Sequence, residues 1–164
     1  MGLLDRLRGR ELADPVFGTL RKRDPDGLWS VDYDWTQPPH APHGPQGIIV
    51  TIQRDGAPPE DADRAAWREL LANYPSLTRS LQHALWRLWE RHRAAADPDG
   101  EFAALGDGAA LWQAVVLQGA IVQPHGIVEL IYGFWERDEP AWTPDCALVL
   151  RVSGRRVDAG EFLE

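Results

Sequence analysis

Two histidines, His40 and His43, stand three positions apart in the loop TQPPHAPHGPQG, residues 36–47. Imidazoles at that spacing could begin a zinc site, with His125 or an aspartate such as Asp32 as third ligand, and a metal held there could drive hydrolysis. A solvated loop explains the pair more simply, because HExxH is absent and the motif lies on no helical pattern. Asp32 and Asp34 point to one face of an alternating strand. Paired carboxylates do general acid–base work only when one is desolvated or coupled. On the wet face of a strand they are ordinary surface charge. Glu129 is different: in IVELIYGFW it has apolar neighbours on both sides. A glutamate buried there must pair or change its protonation, and an arginine or a tyrosine hydroxyl on a neighbouring strand would serve. A structural ion pair, or a place at the edge of the sheet, is the simpler expectation. Cys146, the single cysteine, excludes an internal disulfide and a multi-cysteine zinc site, and its run CALVLRV reads as a buried strand. Neither GxxxxGK[ST], GxGxxG nor GxSxG occurs, so no phosphate loop, dinucleotide fingerprint or hydrolase elbow is present.

The elements that would position these groups are organised around residues 58–93. Pro58 and Pro59 suit a first helical turn, and Glu60, Asp61 and Asp63 suit the positive end of a helix dipole. Trp67, Leu70, Leu71 and Tyr74 then share one face. Pro75 is expected to end that helix, dividing the stretch into helices at about 58–74 and 76–94. In the second, Leu77, Leu81, Ala84, Leu85, Leu88 and His92 form the apolar stripe. Arg79, Gln82, Arg87, Glu90 and Arg91 form the exposed side. Trp86 falls opposite the stripe. Either another element covers it, or it marks with Trp89 and Arg93 a surface for a partner, since Trp and Arg are enriched at interface hot spots.

Strand patterns flank the helices. Residues 16–22, 28–35 and 47–54 precede them, the second alternating with Trp29, Val31, Tyr33 and Trp35 on one face. Residues 111–123, 127–137, 146–152 and a short 155–158 follow, with Gly119 suggesting a bulge and the last six residues peripheral. Links between consecutive strands are too short for a crossover, so those pairs should be antiparallel. The expected fold class is α+β: a mainly antiparallel sheet of six to seven strands with the helix pair packed on one face. One domain would cover 13–164, preceded by an amphipathic segment, 1–12. In that segment Leu3, Leu4 and Leu7 oppose Arg6, Arg8 and Arg10, the pattern of a membrane-surface helix or of a fraying terminus.

Composition sets further bounds. At 164 residues, 44% hydrophobic and 26% charged, the chain can bury a core without staples. Its net charge of −8 argues against affinity for nucleic-acid phosphates. The charge is uneven: residues 1–23 carry six basic groups against three acids, and residues 95–164 four arginines against twelve acids. Of seventeen basic residues one is lysine, which reads as compositional habit. Eight tryptophans in so short a chain should be mostly core. No run is long enough for a membrane span or a secretory signal, and a cytoplasmic location is the expectation.

The segment DPVFGTL, Asp14 to Leu20, follows GLLDRL at Gly2 to Leu7, and Asp55-Gly56, Pro59-Glu60, Tyr74 and Leu77 come later. In these residues the chain resembles a family of small bacterial α+β proteins of unknown function that open with G-L-x-D-x-L and D-P-x-F-G-x-L. The resemblance covers about the first half of the chain and excludes the proline-rich segment 36–47. It implies a bacterial, immunity-like protein, since some similar small α+β proteins accompany toxins as immunity partners. It brings no catalytic residues. The expectation is therefore a non-enzymatic cytoplasmic binding protein, an immunity or adaptor protein that uses no cofactor and whose partner is another protein. Its acidic surplus would suit a basic partner. A metal-dependent hydrolase at His40, His43 and His125, and peripheral membrane attachment through residues 2–10, are the alternatives.

Overall fold

Strands β1 (Arg10–Asp14), β2 (Gly18–Lys22), β3 (Trp29–Asp34) and β4 (Gly47–Ile52) form an antiparallel meander. A long helix, α1 (Asp61–Ala96), and a short one, α2 (Gly108–Ala114), follow. Then come β5 (Val115–Gln123), β6 (Ile127–Phe134), β7 (Ala147–Ser153) and β8 (Arg156–Leu163), a second antiparallel meander. The computed structural model describes residues 10–22, 27–34, 47–96, 105–134 and 147–163. Within them all eight strands lie in one sheet in chain order. The architecture is α+β with a mostly antiparallel sheet. The one parallel pair is β4 with β5, whose connection carries both helices and so supplies the crossover that parallel neighbours require.

Several expectations need correction. The sheet has eight strands, not six or seven, because one strand precedes the first expected strand and another runs to the end of the described chain. At the front, Asp14 accepts the backbone N–H groups of Val16 and Phe17 at 2.8 and 3.0 Å. That turn separates β1 from β2, so the pattern 16–22 is a turn followed by a strand. Residues 10–12 thus belong to β1; the rest of the expected amphipathic segment lies outside the described residues. At the far end, β8 keeps pairing past a register shift between Leu148 and Leu150. A Cβ on Gly160 would stand 2.6 Å from the Val149 carbonyl oxygen, so only glycine lets the strands approach there.

The expected strand 111–123 begins as a helix. Asp107 caps α2 by accepting from the N–H groups of Ala109 and Ala110 at 2.9 and 2.8 Å. Gly119 does lie at a bulge, where the register with β6 shifts after Leu117.

The largest correction is at Pro75. The central pair of helices is one helix of 36 residues with Pro75 inside it, about 54 Å long. Trp67, Leu70, Tyr74, Leu77, Leu81, Ala84, Leu85, Leu88 and Trp89 are all buried, and their spacing stays in phase across the proline. An interior proline costs about 3 kcal/mol. Burying each large side chain is worth roughly 1.5–3 kcal/mol, so a continuous stripe outweighs it. Around the proline, hydroxyls add partners to the helix carbonyls: Ser76 donates to Asn73 at 2.7 Å and Thr78 to Pro75 at 3.2 Å.

Helix α1 lies along the inner face of the sheet. Trp67 near its start packs on Phe17 and Tyr33, Trp89 packs on Phe134 at the end of β6, and His92 stacks on Phe162 in β8. The sheet supplies Ile48, Val50, Ile52, Leu117, Val122, Leu130, Leu148 and Leu150 to the same core. Four of the five described tryptophans are buried and Trp86 is half-buried.

One polar contact crosses this core. The hydroxyls of Tyr74 and Tyr132 meet at 3.1 Å, and burial pushes the Tyr74 phenol up to about 12 and raises the Tyr132 phenol as well. Tyr74→Phe is expected to cost roughly 1–3 kcal/mol, because it leaves the Tyr132 hydroxyl buried without this partner. Adding Tyr132→Phe should recover part of that loss, and a double-mutant cycle by urea unfolding reads the coupling. Additive losses would count against the pair. The sign with pH follows from the raised value. The folded state keeps phenolic protons that the unfolded chain releases above its ordinary value of 10.0. The stabilisation is therefore complete below pH 10 and declines as pH rises toward 12. A wild-type melting curve should fall in that window more steeply than that of the double variant.

Candidate functional site

Three sets of charged groups come together in the fold, and two are internal. The first lies where β1, β2 and the β4–α1 link meet the start of α1. Arg64, one turn into the helix, donates from Nε to Asp14 at 2.9 Å, from Nη1 to Asp61 at 2.9 Å and from Nη2 to the Pro59 carbonyl at 2.9 Å. Burial alone would raise the Asp14 carboxyl. The N–H groups of Phe17 and Val16, together with Arg64, outweigh it and hold Asp14 below the usual carboxylate range. Beside this pair, Asp63 is fully buried, accepts the Glu60 N–H at 2.7 Å and is bridged to Arg54, which also reaches Glu60. Lys22, the chain's one lysine, is buried and donates to the Gly56 carbonyl at 3.2 Å. The Trp29 indole shares that acceptor at 3.0 Å.

The residues Asp14, Phe17, Leu20, Gly56 and Pro59 of the resembling motifs thus converge on one junction. Asp14 folds a turn, Phe17 and Leu20 fill the core, the Gly56 carbonyl receives the buried Lys22 and the Pro59 carbonyl the partly buried Arg64. The work they do is structural: their contacts join the β1–β2 turn and the β4–α1 link to the start of α1. The sequence offered no signal that Arg64 would pair with a residue fifty positions earlier.

Folded-state stability linked to Asp14 is complete above its ordinary value of 3.8 and is lost as pH falls through the lower native value. Acid titration followed by circular dichroism should show wild type losing stability below about pH 4. Asp14→Asn should be less stable at neutral pH and flatter across the acid range.

The second set surrounds Glu129. Its Cα pairs with that of Arg151 across β6 and β7; Arg151 Nε donates to it at 2.9 Å and Gln123 at 2.8 Å. Arg151 also reaches Glu161 on β8 at 2.8 Å. Of the partners the sequence context allowed, an arginine or a tyrosine hydroxyl, the structure supplies the arginine, and the Glu129–Arg151–Glu161 contacts tie β6, β7 and β8 together.

The third set faces outward. On α1, Arg79, His83, Arg87 and Arg91 are all exposed at intervals of four, and Arg68 and Arg93 are exposed on the same side of the helix. At about 100° per residue these six side chains fall within an arc of about 160°. Between Arg79 and Arg93 the exposed face carries four arginines and one carboxylate, Glu90. Among the described residues none of these four arginines forms an ion pair, whereas Arg21, Arg54, Arg64, Arg151 and Arg156 all do. The exposed side was legible as a polar face. Its unpaired state was not, because pairing depends on which strands come near.

The residues singled out for a partner separate. Trp86 is half-buried against the core, and a Cβ on Gly108 would stand 3.2 Å from its Cβ, so the first turn of α2 lies directly over it. Trp89 is 2% exposed, which leaves it almost no surface to offer. Arg93 is exposed in the last turn of α1. For the metal idea, His125 is exposed in the turn Pro124–Gly126 with φ of 67°. His40, His43 and Cys146 lie outside the described residues. Asp32 and Asp34 fall in β3, opposite Ile49 and Gly47 in register. Among the described residues no group of three or more His, Cys, Asp or Glu is placed to hold a metal ion, and no helix is long and apolar enough to cross a membrane. Compared with known proteins, the chain matches no family model, no curated sequence and no solved structure.

Proposed function

We propose that this is a non-enzymatic binding protein, an adaptor or immunity-type protein, that holds another protein on the exposed face of α1. The observation that carries the reading is the contrast among its charged groups. Asp14, Asp63 and Glu129 are each taken up by an arginine that joins elements of the fold, while Arg79, Arg87, Arg91 and Arg93 are exposed on α1 and engage no carboxylate among the described residues. Burying charge in structural pairs costs desolvation and fixes geometry. Leaving a row of guanidinium groups free keeps them available for planar, bidentate contact with an anionic surface.

The reading also shifts where the acidic surplus matters. The net charge of −8 suits a basic partner, but the organised surface on α1 is basic, so contact there would be with acids. Affinity capture from extracts of the source cell at low salt, followed by light scattering of the eluted complex, tests it. The expected result is one protein retained at a fixed ratio. Repeated recovery of the protein alone would count against the reading.

A further inference from the structure

We propose that the row Arg79, His83, Arg87 and Arg91 takes a short acidic polypeptide segment, one that presents carboxylates at helical i, i+4 spacing; this rests on the reading of α1 as the binding face. Four-residue steps on a helix are about 6 Å apart along its axis, and the row spans about 18 Å. A second helix with glutamate or aspartate at every fourth position offers carboxylates at the same axial interval, and since both rows turn by about 40° per step, long guanidinium side chains meet acids where the two rows cross. The row sits on the middle and later turns of α1, whose opposite side, from Leu77 to Trp89, is buried against the sheet. The backbone that carries it is therefore already ordered before any partner arrives, which lowers the ordering cost of binding.

Charge chooses between this occupant and wider polyanions. Glu90 is the one carboxylate on this stretch of the exposed face, yet the whole chain carries −8. At physiological ionic strength the screening length is about 8 Å. A partner confined to the row meets the arginines and little else. A nucleic-acid strand or an anionic membrane extends well beyond that length and meets the acidic remainder. Nothing large and apolar is exposed along Ala72, Pro75, Ser76, Arg79, Ser80, His83, Arg87 and Arg91, so a complex formed here is ionic in character, fast to form and sensitive to salt.

The test uses the full chain and a fluorescent helical peptide with glutamate at every fourth position, read by anisotropy. A single-stranded oligodeoxynucleotide and phosphatidylserine-containing vesicles are run alongside. The variants are R79Q/R87Q/R91Q, whose changes are all exposed, and R155Q in the β7–β8 turn as a control for losing an exposed arginine away from the row. The peptide should bind saturably and weaken as ionic strength rises from about 0.01 M to about 0.15 M. It should bind the triple variant about tenfold less tightly, the scale of three exposed ion pairs, and R155Q little differently from wild type. Equal affinity of the triple variant, or binding of the oligonucleotide or vesicles in preference to the peptide, overturns the proposal. If no acidic peptide binds while affinity capture still recovers a stoichiometric protein, this proposal falls and the binding-protein reading stands.

Discussion

Replacing Trp67 by alanine is expected to remove roughly 3–5 kcal/mol of folding stability. Trp67 is 0% exposed and packs between Phe17, with ring centroids 6.1 Å apart, and Tyr33, edge-on at 5.2 Å. It is where the first meander meets α1. The cost combines lost transfer energy with a cavity that three separate elements border, so no single shift can close it. Against a total of about 5–15 kcal/mol, this is a large share. Urea unfolding should show a lower midpoint at an unchanged slope, and the thermal midpoint should fall by about 10 °C. A loss below about 1 kcal/mol would mean that the first four strands do not depend on the helix in this way.

The second large effect is expected at Asp63. Its carboxylate is fully buried and holds both the Glu60 N–H and Arg54. Arg54 Nε is already buried with no hydrogen-bond partner among the described residues. Asp63→Ala would therefore leave a donor on the backbone and a guanidinium short of its acceptor, inside the junction at the start of α1. Breaking a fully buried pair costs about 3–5 kcal/mol; Arg54 keeps some contact with water and with Glu60, so roughly 2–4 kcal/mol is expected here. Asp63→Asn keeps an acceptor for Glu60 and should lose about half as much. Combining Asp63→Ala with Arg54→Met should restore part of the loss, since the cost lies in the orphaned partner. A double variant no better than Asp63→Ala would place the cost elsewhere.

These two residues mark what was legible in the sequence and what was not. Trp67 belongs to a stripe with 3.6-residue periodicity, and the inner residues of β4 and β6 alternate or run apolar as buried strands do, so fold class and core could be read locally. At Pro75 the local helix-breaking rule and the phase of the stripe disagree: Tyr74 and Leu77 keep the step that joins Leu70 to Leu81, and a real break would reset it. Asp107 ahead of GAALWQA was a helix-start signal inside what otherwise reads as a strand. Arg64 with Asp14, and Asp63 with Arg54, could not be read at all. A charged residue's partner is set by which loops the topology brings together, and that information is non-local. Glu129 is the instructive middle case. Its apolar context demanded a partner, and strand register then supplied Arg151.

The same logic applies to the proposed binding face. Arg79, Arg87 and Arg91 are recognisable in the sequence as the exposed side of a helix, and Trp86 as the residue opposite the apolar stripe. With α2 lying over Trp86 and Trp89 in the core, the aromatic surface shrinks and the arginine row is what remains in view.

The most direct test of the central claim, that a protein partner is held on the exposed face of α1, is site-specific photocrosslinking. A photoreactive residue placed at Ser80, between Arg79 and His83, is compared in source-cell extract with the same residue placed at Arg155. The account predicts one discrete crosslinked partner from position 80, lost when Arg79, Arg87 and Arg91 are changed to glutamine, and none from position 155. Crosslinks arising at position 155 alone, or surviving the triple change at position 80 undiminished, would contradict it.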